Sequence, residues 1–212
     1  MFTSGYNFII PTFQDVGAGT ATYDLQNIKL VDAAGDMTEY IVGYDDAACL
    51  SGDTYYWLTE DGYGMPDGWY DDSDNLIEGV TVPLGTGFYL NCPTDGVKVQ
   101  YAGQVHSGAL TTVLPQVGYN MIGNATPVTI DLQNIKLIDA AGDMSEYIVG
   151  YDDAACLSGD TYYWLTDDGY GLPDGWYDDS DNLIEGVILE PGQGLYLNCP
   201  TDGVSVQLPS AL

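Results

Sequence analysis

Along the chain, short stretches rich in Val, Ile, Tyr and Thr alternate with clusters of Gly, Pro, Asp and Asn, and no segment repeats its apolar residues at helical spacing. The pattern predicts strands over residues 6–10, 21–30, 39–44, 54–58, 79–82, 87–91 and 97–101. In the stretch "IKL", Ile28 and Leu30 share one face while Asn27, Lys29 and Val31 share the other, as the two-residue period of a strand requires. One face of that strand is expected in a core. Seven strands in about 100 residues fit a β-sandwich or small barrel.

The same pattern then occurs again. At an offset of 107, residues 24–100 match residues 131–207 with eleven differences among 77 positions, most of them mild, such as Val31 for Ile138 and Met65 for Leu172. A unit of this length can close its own core, so the expected architecture is all-β, two tandem near-identical domains rather than a solenoid. Gly5, Tyr6 and Asn7 answer Gly118, Tyr119 and Asn120, and copy one carries six extra residues near "QDVGAG". The division is residues 1–106 for copy one, 107–117 for a connecting strand or linker, and 118–212 for copy two.

The joint is asymmetric: "GQVHSGALTTVLPQ" precedes copy two, whereas only "MFTS" precedes the GYN of copy one. If "ALTTVLP" is an integral strand, one copy lacks it, and a missing strand exposes a row of unpaired N–H and C=O groups that invites another chain. A linker with tolerated ends is the alternative.

Charge narrows the function classes. Thirty-two acids face three lysines (Lys29, Lys98, Lys136) and no arginine, a net charge of -29. Phosphate backbones are bound by releasing counterions to basic groups, so nucleic acid is a poor partner, as is anionic membrane. Such a chain repels itself, and salt, divalent cations or a cationic partner must offset the repulsion. With 45% apolar residues it is still hydrophobic enough to fold. No apolar run reaches the roughly 18 residues of a membrane span, and "MFTSGYNFIIPTF" has neither the basic region nor the apolar length of a secretion signal. The four cysteines fall as Cys49 with Cys92 and Cys156 with Cys199, one pair per copy and none in a CxxC pattern. We read them as two disulfides formed in an oxidising compartment, with four buried thiols as the alternative. Each bridge would contribute at most roughly 4 kcal/mol in the chain-entropy account. An extracellular or cell-surface location follows from that reading.

The acids concentrate in a twice-repeated loop, "DGYGMPDGWYDDSDN" from Asp61 and "DGYGLPDGWYDDSDN" from Asp168. The segment Asp61 to Trp69, and its copy to Trp176, resembles the DGDGxPDGW loops of thrombospondin type 3-like calcium repeats, although Tyr63 and Tyr170 stand where that family places an acid. The resemblance implies calcium held by carboxylates on a tightly turned segment, the oxygen-rich environment a hard cation needs. The candidate ligands are Asp61, Asp67, Asp71, Asp72 and Asp74, repeated as Asp168, Asp174, Asp178, Asp179 and Asp181. A second group is Asp45, Asp46 and Asp53, repeated as Asp152, Asp153 and Asp160. The competing explanation is that Asp, Asn and Gly make good turns and the acids face water. Trp57, Trp69, Tyr70, Trp164, Trp176 and Tyr177 lie beside the acids, where exposed rings would stack on sugars and buried ones would build a core.

Enzymatic constellations are sparse. His106 is the single histidine and lies in the joint, so a His-dependent mechanism exists at most once in a duplicated chain. Carboxylate pairs are so abundant that their presence selects nothing. Lys29 and Lys136 recur in "NIKL", and a buried lysine beside an asparagine and an acid would suit an internal isopeptide bond, whereas a half-exposed strand lysine is the ordinary case. As a whole the chain resembles the tandem β-repeat regions of secreted bacterial surface proteins. That resemblance implies a non-enzymatic extracellular structural protein, a subunit or fragment of a self-assembling fibre, array or adhesive stalk stabilised by calcium, whose partners are other copies of itself. The alternative expectation is a tandem carbohydrate-binding module.

Overall fold

The computed structural model describes residues 2–15, 21–42, 53–59, 64–114, 116–149, 160–166 and 171–210. Copy one contains β1 (Gly5–Ile9), β2 (Thr22–Asp24), β3 (Ile28–Val31), β4 (Asp36–Val42), β5 (Thr54–Leu58), β6 (Gly68–Tyr70), β7 (Thr81–Pro83), β8 (Phe88–Cys92) and β9 (Lys98–Tyr101). The joint supplies β10 (Leu110–Val113). Copy two repeats the order as β11 (Gly118–Gly123), β12 (Ile130–Asp131), β13 (Lys136–Ile138), β14 (Asp143–Val149), β15 (Thr161–Leu165), β16 (Gly175–Tyr177), β17 (Ile188–Leu189), β18 (Gly194–Cys199) and β19 (Ser205–Leu208). The fold is all-β, and no α-helix and no closed barrel occur among the described residues.

In each copy five antiparallel strands form the main sheet, ordered β1-β8-β4-β5-β6 and β11-β18-β14-β15-β16. The remaining strands form a sandwich-like second layer: the ribbons β2-β7 and β3-β9 in copy one, and β12-β17 with the three-stranded β10-β19-β13 in copy two. The predicted strand over residues 21–30 is broken. Asp24 caps a 3-10 turn over Leu25–Asn27, its side chain accepting from the Gln26 amide, and β3 starts after it. An Asx-type bond offers the backbone a local alternative to the ladder, which is why the run does not continue as one strand.

Main-sheet side chains alternate as the pleat dictates. Inward point Ile41, Trp57, Trp69, Phe88, Leu90 and Cys92, each at most 1% exposed. The outward row runs through the register pairs Tyr6, Asn91, Tyr40, Tyr56 and Tyr70 across all five strands. A register shift between Asp36 and Tyr40, with Met37 at φ 66°, places Glu39 inward and fully buried. Its side-chain oxygens accept from the amides of Ala34 (2.7 Å) and Gly35 (3.1 Å), so the buried carboxyl group closes a turn. Glu146 repeats this arrangement.

The two copies do not keep separate cores. One apolar cluster contains residues of both, and Phe8 of copy one packs edge-on against Tyr196 of copy two with ring centroids 5.7 Å apart. A Cβ on Gly194 would lie 2.0 Å from the Phe8 ring, so the halves meet this closely only because position 194 has no side chain. The Gly87 amide donates to the Met121 carbonyl across the same boundary.

Candidate functional site

The repeated acidic loop is built around a side chain that the sequence pattern does not single out. Gln26 Nε2 donates to the carbonyls of Trp69 (2.8 Å) and Ile77 (3.0 Å), while its Oε1 accepts from the Trp69 amide (3.3 Å). Gln133 makes the same three bonds to Trp176 and Ile184. The glutamine thus stands in for a strand beside β6, a strand hidden inside the acidic loop. Gly68 allows it, since a Cβ there would meet Gln26 Oε1 at 2.8 Å.

The rings named for ligand stacking are buried, the tryptophans in the core and Tyr70 and Tyr177 at the covered end of the outward row. Trp57, Trp69, Tyr70, Trp164, Trp176 and Tyr177 are each no more than 2% exposed. Trp57 and Trp69 meet edge to face at 5.2 Å, Trp69 Nε1 donates to the Ile28 carbonyl (2.9 Å), and Tyr70 OH donates to the Pro66 carbonyl (2.7 Å). The tyrosines that do reach the surface belong to the outward row: Tyr6 is 53% exposed, and its hydroxyl bonds that of Tyr40 at 2.8 Å. That hydrogen bond, followed by burial, pushes the Tyr40 phenol up to about 12.

The acids of the loop hold the turn that follows β6. Asp71 Oδ1 accepts from the amides of Ser73 (2.9 Å) and Asn75 (2.8 Å), and Asn75 Nδ2 reaches both carboxylate oxygens. These bonds hold the Asp71 carboxyl below the ordinary aspartate range, the Asn75 amide being the largest cause; Asp178 repeats the effect. Asp67, Asp72 and Asp74 are exposed, as are Asp174, Asp179 and Asp181. An open acidic cleft of about 620 Å³ lies in each copy, bounded by Asp53, Asp71, Asp72 and Glu78 in the first. Asp160, Asp178, Asp179 and Glu185 bound the second. Among the described residues no three acids, histidines or cysteines group closely enough to hold a metal ion. Asp61 and Asp168 lie outside the described residues, as do Asp45, Asp46, Asp152 and Asp153.

Cys92 and Cys199 are buried, and their proposed partners Cys49 and Cys156 lie outside the described residues. Burial, and then the neighbouring Glu39, pushes the Cys92 thiol up to about 11. A thiol so placed is a poor nucleophile. His106 Nδ1 bonds Gln14 Oε1 at 2.8 Å. Lys29 Nζ lies 5.6 Å from the centroid of the Trp57 ring and Lys136 is exposed, so neither is the deeply buried lysine that an internal isopeptide bond requires.

The joint forms the second candidate site. Strand β10 joins copy two, antiparallel to β19, with Leu110 opposite Leu208, Thr112 opposite Val206 and Val113 opposite Ser205. Leu110 and Leu114 are buried, and beneath them Val206 and Leu208 are 2% and 1% exposed. Thr112 Oγ1 donates to the Leu84 carbonyl (2.6 Å), tying the strand to the turn at residues 83–86 of copy one. In copy one β9 pairs with β3 along one edge, and no described strand lies along the other. Phe2 covers its beginning, with the Phe2 amide donating to Val97 and the Gly96 amide donating to Phe2 (2.9 Å each), much as the Leu114 amide donates to Val204 in copy two. Beyond Phe2 an open groove of about 720 Å³ is lined by Phe8, Lys98, Val99 and Tyr101 and by residues 190–193 of copy two. Residues 190–193 are the repeat equivalent of residues 83–86. Each copy therefore presents a slot walled by the turn of its neighbour, filled by β10 in copy two and holding no strand beyond Phe2 among the described residues in copy one.

Compared with known proteins, the chain matches no family model, no curated protein and no solved structure.

Proposed function

We propose that this chain is a non-enzymatic structural protein that works by self-association through sheet edges, as a subunit or segment of an extracellular fibre, array or stalk. The carrying observation is the unequal occupancy of two slots at equivalent places in the repeat: β19 has a partner strand and the equivalent edge of β9 has none among the described residues. Unpaired edge groups beside an apolar floor favour addition of a strand, because the edge N–H and C=O groups gain partners while the apolar floor loses water. The net charge of -29 opposes contact between copies, and salt near physiological strength shortens its range to about 8 Å. Association should therefore strengthen with ionic strength.

The test is the solution mass by light scattering across protein concentration, at low and near-physiological salt. Species larger than one chain, growing with concentration and salt, are expected. A single-chain mass at every concentration and salt overturns the reading.

A further inference from the structure

We infer that the open slot on β9 is the docking site for one particular kind of strand: the leading strand of another copy of the repeat, with the sequence pattern of Leu110–Leu114, bound antiparallel to Val97–Tyr101. The inference deepens the assembly reading and rests on it for its biological meaning. Its geometry comes from the chain itself, because copy two shows what fills the equivalent slot.

Shifting β19 by the repeat offset lays Leu208 on Tyr101, Gln207 on Gln100, Val206 on Val99 and Ser205 on Lys98. Under β10, Ser205, Val206 and Leu208 are buried; without a covering strand, Val99 and Tyr101 are half-buried and Lys98 is exposed. An incoming strand would place its two apolar residues where Leu110 and Leu114 sit in copy two, over Tyr101 and beside Val97. Phe2 holds the second of these places, through the Val97 carbonyl and the Gly96 amide, so the incoming strand displaces it and takes over the bond to Val97.

The backbone is set up for the same register. The Leu114 amide donates to the Val204 carbonyl, and antiparallel ladders alternate, so Thr112 and Leu110 also direct their backbone groups toward β19 while Thr111 and Val113 direct theirs away. By the same alternation Lys98 and Gln100 serve β3 on one side, which leaves the N–H and C=O of Val99 facing the slot. The wall keeps its backbone turn although three of its four residues differ (Pro83, Leu84 and Thr86 against Glu190, Pro191 and Gln193): the amide of the fourth residue donates to the carbonyl of the first in both, the Pro191 carbonyl is the repeat equivalent of the Leu84 carbonyl that receives Thr112 Oγ1, and Gly192, at φ 75°, is the equivalent of Gly85, at φ 88°, which lets Leu110, Thr112 and Leu208 approach. On the floor, copies one and two differ at Lys98 against Ser205 and at Tyr101 against Leu208, the second a swap of one large apolar side chain for another. Lys98 pairs with Asp32 at the surface, so it borders the slot without blocking it.

The experiment uses the peptide SGALTTVLP, residues 107–115 of this chain, labelled and titrated into the intact 212-residue protein. One peptide should bind per chain, with hydrogen exchange slowed at Val99 and Tyr101. N-methylation at the Thr112 position should weaken binding at least about tenfold, because it removes an edge hydrogen bond and adds bulk against β9; N-methylation at the Thr111 position should change it less than about threefold. Replacing both leucines of the peptide by aspartate should abolish binding. No binding at millimolar peptide, or binding indifferent to which amide is methylated, overturns the inference. So does protection that appears at Val206 instead of Val99, since that would be exchange with β10. The two readings separate cleanly. A peptide that binds a chain which is otherwise always monomeric leaves the docking site standing and removes self-assembly; assembly that persists unchanged without peptide binding removes the docking site alone.

Discussion

Replacing Gln26 by Met removes the polar end of the side chain and keeps its length, which isolates the three hydrogen bonds that hold β6 and the segment after it. Those bonds run to the carbonyls of Trp69 and Ile77 and from the Trp69 amide. Each is worth about 1 kcal/mol net, and the stranded carbonyls sit in a partly buried site where water restores only some of the loss, so Gln26→Met should cost about 2–3 kcal/mol. For a chain of this size that corresponds to a fall in Tm of roughly 4–12 °C. Gln133→Met should cost the same, because the three bonds recur with nearly the same lengths (2.6, 2.9 and 3.2 Å). The two clamps share no hydrogen-bond partner, so the double variant should lose the sum to within about 0.5 kcal/mol. Urea unfolding followed by tryptophan fluorescence reads these values, with Gln207→Met as a control: its amide makes one exposed 3.4 Å contact and should stay within about 0.5 kcal/mol of the parent. A loss below about 0.5 kcal/mol for either clamp variant would show that the glutamine only happens to lie near these carbonyls.

Gly194→Ala should destabilise the chain by about 1–3 kcal/mol in the same assay, because the new methyl collides with the buried Phe8 ring at the boundary between the copies, whereas Gly203→Ala meets no atom and pays only for its positive φ. Stability should rise and then fall as pH is lowered from 7: carboxylate protonation first relieves the repulsion of 32 acids, and below the ordinary aspartate value of about 3.9 the folded state loses what Asp36, Asp71, Asp143 and Asp178 contribute. Their folded pKa values are depressed, so that contribution is complete above the unfolded value and disappears as pH drops through the folded one; the variant carrying both Asp71→Asn and Asp178→Asn should show a shallower acid limb, and an unchanged limb would refute the assignment. Sodium chloride should raise Tm by screening the repulsion among 32 acids; a further, chelator-reversible rise with calcium chloride at matched ionic strength would establish a specific calcium site, and an equal rise would assign the whole effect to screening.

Much of the fold is legible along the chain because strand signals are local. The run "TYYWL" is bounded as the alternation predicts, Thr54–Leu58, and the offset of 107 foretells that copy two repeats the strand order of copy one. The breaks are local as well but turn on single bonds. Residues 21–30 read as one strand until the Asp24 side chain takes the Gln26 amide, and "GWY" reads as loop because its partner strand, β5, supplies what three residues cannot signal alone. Gln26 itself carried no signal at all, since its bonds span 43 and 51 positions of sequence.

The candidate sites divide in the same way. The acids and aromatics of the loop stand out in composition, and composition alone cannot say that Trp69 points inward while Asp72 points out: that follows from which face of β6 meets Ile28. The duplication, the acidity and the unmatched "ALTTVLP" are properties of the sequence itself, because repetition and charge need no third dimension. Which copy takes that strand was decided by the tertiary structure, since Leu110 and Leu114 find their apolar floor and hydrogen-bond partners on β19, and the equivalent edge of β9 lies on the other side of the boundary that Phe8 and Gly194 close.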